Sequence, residues 1–197
     1  MLLLAGMALY AEPALAHHAL GGETPKTFLD GFLSGLAHPV IGLDHFAFVV
    51  VIGLLAVKQG WGLLFPISFL LAALGGTTLH LNSVDLPAVE IAIALSVFLI
   101  GLGLGLQKTL PLGGAIAFGV LAGVFHGYAY GESIIGATPL PLSAYLLGFT
   151  LIQAAIALGA GWLGDRLLRR TSERARALTL PGLAIAGVGL VFLLQAI

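Results

Sequence analysis

The chain is a succession of apolar stretches, each close to the ~20 residues that carry an α-helix across a bilayer, separated by short polar connections. They run over residues 44–57, 61–80, 86–106, 111–130, 140–163 and 178–196. Such runs are too long and too continuous for the alternating ~10-residue strands of an outer-membrane barrel. Composition agrees: 59% of the 197 residues are hydrophobic and only 9% are charged, where a soluble domain averages about 25% charged. The expected fold class is therefore all-α, a polytopic membrane helical bundle of six transmembrane helices with a broken first span. Residues 44–57 are short for a crossing. The segment from Thr27 to Ala37 adds a half-helix before them, and Pro39 and Gly42 break the helix between the two parts.

Residues 1–16 read as a signal peptide. Leu2 to Tyr10 is apolar but too short to span, and Pro13 is followed by the A-x-A pattern Ala14-Leu15-Ala16. Cleavage after Ala16 would leave a single six-span domain, 17–197, beginning His17-His18 outside the cytoplasm. That mature chain would hold neither Cys nor Met, which disfavours Cu(I), an ion that seeks soft sulfur ligands. With the N-terminus outside, Lys58, Lys108, Arg166, Arg169, Arg170, Arg174 and Arg176 all fall in cytoplasmic loops and only Lys26 lies outside, as the positive-inside rule requires. The Arg-rich loop 164–177 then reads as a topogenic, solvated anchor. A net charge of −1 argues against a nucleic-acid partner. The lipid bilayer is the partner that composition establishes, and no oligomeric state is fixed by it.

Gly119, Gly123, Gly127 and Gly131 recur every four residues in the fourth span, a small-xxx-small stripe that lets another helix approach closely. Gly101 and Gly105 do the same in the third. Gly101-Leu102-Gly103-Leu104-Gly105 is not a nucleotide fingerprint, because no strand precedes it and the spacing is wrong.

The polar residues of the spans gather at one end. His38, Asp44 and His45 lie near the outer end of span one, His80 at the end of span two, Asp85 and Glu90 at the start of span three, and His126, Tyr130 and Glu132 at the end of span four. Ionisable groups in a membrane segment are costly and mark sites that bind something. Imidazole with carboxylate suits divalent transition metals. In one continuous helix His38 and His45 would stand about 10.5 Å apart along the axis, too far for one ion with M–N bonds of about 2.0–2.1 Å. A break at Pro39–Gly42 would fold them together, and a broken helix needs a protein-lined cavity around it. Plainer readings exist for several of these residues. Asp44 serves as an N-cap for the helix from His45, His80 as an interfacial residue, and Tyr128 and Tyr130 as aromatic-belt anchors. Glu90, a turn inside its apolar run, needs a partner.

Two motifs carry a resemblance. His38-Pro39-Val40-Ile41-Gly42-Leu43-Asp44-His45 matches the pattern H-P-x-x-G-x-D-H, and Phe125-His126-Gly127-Tyr128-Ala129-Tyr130-Gly131-Glu132 is similar to F-H-G-x-A-x-G-x-E, with its acid one position early. Both resemble the HupE/UreJ family of nickel/cobalt permeases, and the likeness extends over the whole chain. The resemblance implies a multi-pass protein of the bacterial inner membrane that imports Ni²⁺, or Co²⁺, to supply hydrogenase or urease. It implies metal positions at His38, Asp44, His45, His126 and Glu132, with Glu90 added; His80, His17 and His18 are weaker candidates from their place at the outer end of the chain's spans. The family often has histidine where Tyr130 stands, which weakens the case for a metal contact there. No prosthetic group is implied; the metal, Ni²⁺ with Co²⁺ or Zn²⁺ as alternatives, is cargo. Two other classes compete with a permease. An intramembrane Zn²⁺ hydrolase would use Glu90 or Glu132 as base, but no H-E-x-x-H is present. A metal sensor or accessory protein would bind the ion without moving it.

Overall fold

The computed structural model describes residues 23–170 and 177–197, and among them every regular element is a helix: α1 (Phe28–Ile41), α2 (Leu43–Lys58), α3 (Leu64–Leu81), α4 (Val89–Gly105), α5 (Leu112–Glu132), α6 (Pro139–Arg170) and α7 (Thr179–Ala196). The expected signal peptide, His17, His18, Glu173, Arg174 and Arg176 lie outside the described residues.

A capping box starts α1. Thr27 Oγ1 accepts from Asp30 N at 3.1 Å and Thr27 N donates to Asp30 Oδ2 at 3.0 Å. The helix then continues past Ala37 and through Pro39. Pro39 is therefore not part of the break, contrary to the expectation from sequence: in the last turn its missing N–H removes only one bond. The break is Gly42 alone, in extended conformation (φ −70°, ψ 100°). Gly42 N donates to His38 O at 3.1 Å and Gly42 O accepts from Phe46 N at 2.8 Å, so one residue closes α1 and opens α2. The two helices meet at 79°.

α2 is the axis of the bundle. Phe48, Val51 and Ile52 are completely buried and Leu55 nearly so. A helix apolar on every side is stable only when other helices surround it, and α2 touches α1, α3, α4, α6 and α7. Outside it the helices pair through small residues. A Cβ placed on Gly127 or Gly76 would fall on the backbone carbonyl of Ala73 or Val124, and one on Gly123 on that of Phe69, so α3 and α5 lie backbone to backbone. Gly101 and Gly105 of α4 meet Gly182, Leu183 and Ala186 of α7 in the same way, and Gly31 and Gly35 of α1 meet Pro141 and Tyr145 of α6. Without a hydrophobic force between helices in lipid, close approach of this kind supplies the attraction.

Among the described residues four helices are long and apolar enough to cross a membrane, and the bent pair α1–α2 counts as a fifth. α4 is apolar but only 17 residues long. The apolar run expected from residue 86 starts its helix at Val89, because Pro87 cannot donate a backbone bond and Ala88 adopts φ +53°. At the other extreme α6, with 32 residues, is about 48 Å long and carries Arg166 and Arg169 past the apolar stretch. Lys58 Nζ reaches Leu104 O at 3.5 Å and Gln59 Nε2 donates to Lys108 O at 3.1 Å. A groove of about 390 Å³, lined by Val57, Gly60, Trp162 and Asp165 among others, joins this end to the end of α6. Lys58, Lys108, Arg166 and Arg169 therefore share one end of the bundle.

Candidate metal-handling site

At the opposite end the break at Gly42 acts on the two histidines that flank it. The 79° bend brings the His38 and His45 rings to 5.9 Å between centroids. Both are buried, at 4% and 2% exposure. Asp44, 8% exposed, is the second residue of α2. The N-cap is Gly42, not Asp44, and it offers no side chain. The Asp44 carboxylate instead lies in the first turn, where Oδ1 accepts from His45 N at 2.8 Å and the helix dipole favours negative charge.

α5 delivers the next layer. His126 is fully buried, with its Nδ1 2.8 Å from His45 Nδ1 and its Nε2 3.0 Å from Ser96 Oγ of α4. Phe48 and Phe69 close its far side, at ring separations of 4.5 and 5.9 Å. Tyr130, one turn on, lies against both other histidines, 5.1 Å from His38 and 4.6 Å from His45. Its hydroxyl donates to Gln153 Oε1 of α6 at 3.4 Å. Tyr145, also on α6, donates to Tyr130 O at 2.8 Å and lies 3.1 Å from His38 Nδ1, which Ser133 Oγ approaches to 2.7 Å. Every one of these groups is costly to bury without partners; the hydrogen bonds around His45 and His126 and those around His38 and Tyr145 meet through the ring contacts of Tyr130 and His38 with His45.

The structure thus brings together His38, Asp44, His45 and His126, and it leaves others apart. Glu132 and Glu90 are exposed. Glu90 needs no buried partner, because α4 begins one residue before it and the carboxylate stays at the helix mouth. His80, half-buried at the end of α3, packs edge-on against Tyr128 at 4.2 Å. Its Nδ1 has no hydrogen-bond partner among the described residues. Tyr128 and Tyr130 are buried at 8% and 0%, so neither is a belt anchor: the glycine stripe of α5 draws both into the bundle. Among the described residues no three His, Asp or Glu side chains are already disposed around a single ion.

Sequence reasoning missed Ser96, Ser133, Tyr145 and Gln153. Gln153 carried a signal, an amide in the middle of an apolar span. Serines in such spans carry little, since a helical Ser satisfies itself on a carbonyl of the preceding turn, as Ser96 Oγ does on Ile93 O at 2.7 Å.

Residues 4–192 match the family model described as HupE / UreJ protein. Among curated proteins, Protein HupE of Rhizobium leguminosarum bv. viciae is 34% identical over 161 residues, covering 78% of this chain and 79% of that protein. No solved structure matches.

Proposed function

Because this chain belongs to the HupE / UreJ protein family, we propose that it is a membrane permease for a divalent transition-metal ion, Ni²⁺ first and Co²⁺ next, feeding the maturation of a metalloenzyme such as hydrogenase or urease. The observation that carries this reading is the one-residue break at Gly42, which sets two buried imidazoles side by side and a buried carboxylate in the first turn of α2, at one end of an apolar bundle. Imidazole and carboxylate replace the water of a divalent ion, and the carboxylate offsets part of its charge. His38, Asp44 and His45 are the proposed ligands. Glu132 and Glu90, exposed at helix ends, fit the role of collecting hydrated ions at the entrance, together with His17 and His18.

In this reading the bent pair α1–α2 is one span and α3 to α7 are five more, six in all. α4, at about 25 Å, is the thinnest crossing of a core about 30 Å thick. The cationic end holding Lys58, Lys108, Arg166 and Arg169 faces the cytoplasm, and the histidine end faces outward. Below His126 the path inward is closed by Phe48, Phe69, Val51 and Ile52, all buried. Release therefore requires the helices around α2 to rearrange, as in alternating access. The protein catalyses no covalent step in this account.

Uptake of ⁶³Ni²⁺ into proteoliposomes, with Co²⁺ and Zn²⁺ as competitors, tests it. Asp44→Asn and His45→Ala should abolish uptake while membrane insertion persists. Normal uptake in either variant would remove the site assignment, and tight metal binding without uptake in the wild type would make the protein a sensor.

A further inference from the structure

His126 cannot be read as a third ligand equivalent to His38 and His45, because both of its ring nitrogens are engaged within the protein. Ser96 Oγ has one proton. It lies 2.7 Å from Ile93 O, which only accepts, and 3.0 Å from His126 Nε2. With the proton committed to the carbonyl, the serine oxygen must accept, so His126 Nε2 carries a hydrogen and donates it. A neutral His126 then has a bare Nδ1. That nitrogen is 2.8 Å from His45 Nδ1, so His45 Nδ1 must be the donor. The opposite sequence would set the hydroxyl lone pairs of Ser96 against the Ile93 carbonyl at 2.7 Å, in a fully buried setting where such a mismatch is not relieved by water.

We infer that Ser96 is a positioning residue which, through His126, holds the His45 ring with its Nδ1 as the donor to His126 Nδ1, and that His126 supports this ligand rather than serving as one. The inference rests on the proposed permease reading for its cargo. Its tautomer assignment stands on the hydrogen-bond accounting alone. The arrangement is the one by which metal-binding histidines are usually held: the ring nitrogen away from the metal donates to a fixed acceptor, which sets tautomer and orientation and raises basicity. Here the acceptor is a second imidazole, itself clamped from α4. The clamp ties together α2, α5 and α4.

The assignment is readable in the metal-free protein. Imidazole ¹⁵N NMR of the full chain in nanodiscs, at a pH where the rings are neutral, should show His45 protonated on Nδ1 and His126 on Nε2. In Ser96→Ala the His126 preference should be lost and His45 should become a mixture of tautomers. Ser96→Thr, which keeps the hydroxyl, should restore both signatures. His38, held separately by Tyr145 and Ser133, should not change in either variant. Ni²⁺ affinity should fall about 10–100-fold in Ser96→Ala and recover in Ser96→Thr. A wild-type spectrum with His126 protonated on Nδ1 overturns the inference without any variant. So does an unchanged His45 spectrum in a folded Ser96→Ala protein. If the wild type shows the expected tautomers but binds no Ni²⁺, the relay is upheld and the cargo reading fails, so the two are separable.

Discussion

Replacing Gly127 by alanine should be among the most damaging single-methyl changes in this protein, while the same change at Gly103 should be harmless. A Cβ on Gly127 would stand 2.5 Å from both the carbonyl carbon and the Cα of Ala73 and collide with the carbonyl oxygen. All three are backbone atoms, so no side-chain rotation relieves the clash. Restoring ordinary contact with the Ala73 carbonyl requires α3 and α5 to part by more than about 1 Å, and a gap of about 0.5–1 Å already forfeits a quarter to a half of the dispersion attraction of every contact it opens. Overpacking of this kind costs about 1–3 kcal/mol. The separation also stretches the 2.7 Å bond from Thr77 Oγ1 to Gly127 O; Thr77 Oγ1 keeps Ala73 O as an acceptor at 3.1 Å, so the loss adds about 0.5–1.5 kcal/mol. The expected destabilisation is therefore about 1.5–4.5 kcal/mol. Gly103 has nothing within 4 Å of its would-be Cβ, and there the loss of backbone freedom in the unfolded chain favours alanine by about 0.5–1 kcal/mol. Denaturant-induced unfolding in detergent micelles, followed by tryptophan fluorescence, compares the two. His126 adjoins Gly127, so Ni²⁺ binding should weaken in Gly127→Ala and not in Gly103→Ala. Equal stability of the two variants would refute the claim that carbonyl contact, rather than glycine content, determines which glycines matter.

Metal binding should weaken as pH falls from about 7 to about 5, because proposed ligands His38 and His45 must be neutral to coordinate and protons compete with the ion; isothermal titration at several pH values measures it, and tighter binding at low pH would exclude histidine ligation. Tyr145→Phe removes the donor to Tyr130 O and a partner of His38 Nδ1, and should cost about 1–3 kcal/mol in the same unfolding assay. Arg169→Ala breaks only an exposed i,i+4 pair with Asp165 at 2.7 Å, so Ni²⁺ affinity should not change; a large loss would place the metal at the cationic end.

The helix boundaries were largely legible because they follow from local rules. Apolar runs bounded by Gly, Pro and charge gave elements close to those observed, and α1 ran further only because a proline in a last turn removes one bond and no more. The close pair His38 and His45 was foreseen from a break between them, although the break is narrower than the Pro39–Gly42 segment suggested. The glycine stripe of α5 announced a close neighbour, but not that the neighbour is α3. Glu90 and Glu132 looked like members of the cluster because they share its end of the chain's spans. Which way a side chain points from a helix end depends on the neighbours of that helix, and these two point outward.

By itself, the sequence determined that this is a bundle of apolar helices, that Lys58, Lys108, Arg166 and Arg169 sort to one end and that His38, His45, His80 and His126 gather at the other. Those properties depend on composition and on distances of a few residues, where the bilayer's need for internally bonded backbone leaves little freedom. Tertiary structure alone decided that α2 is the buried axis, that Tyr130, Tyr145 and Gln153 line the histidine cluster, and that His126 is held between Ser96 and His45. Those contacts join residues 15 to 107 positions apart, and they depend on which faces of the helices meet. In lipid that choice is governed by backbone approach at glycines and by the satisfaction of each buried donor, and neither can be evaluated until the helices are placed in space.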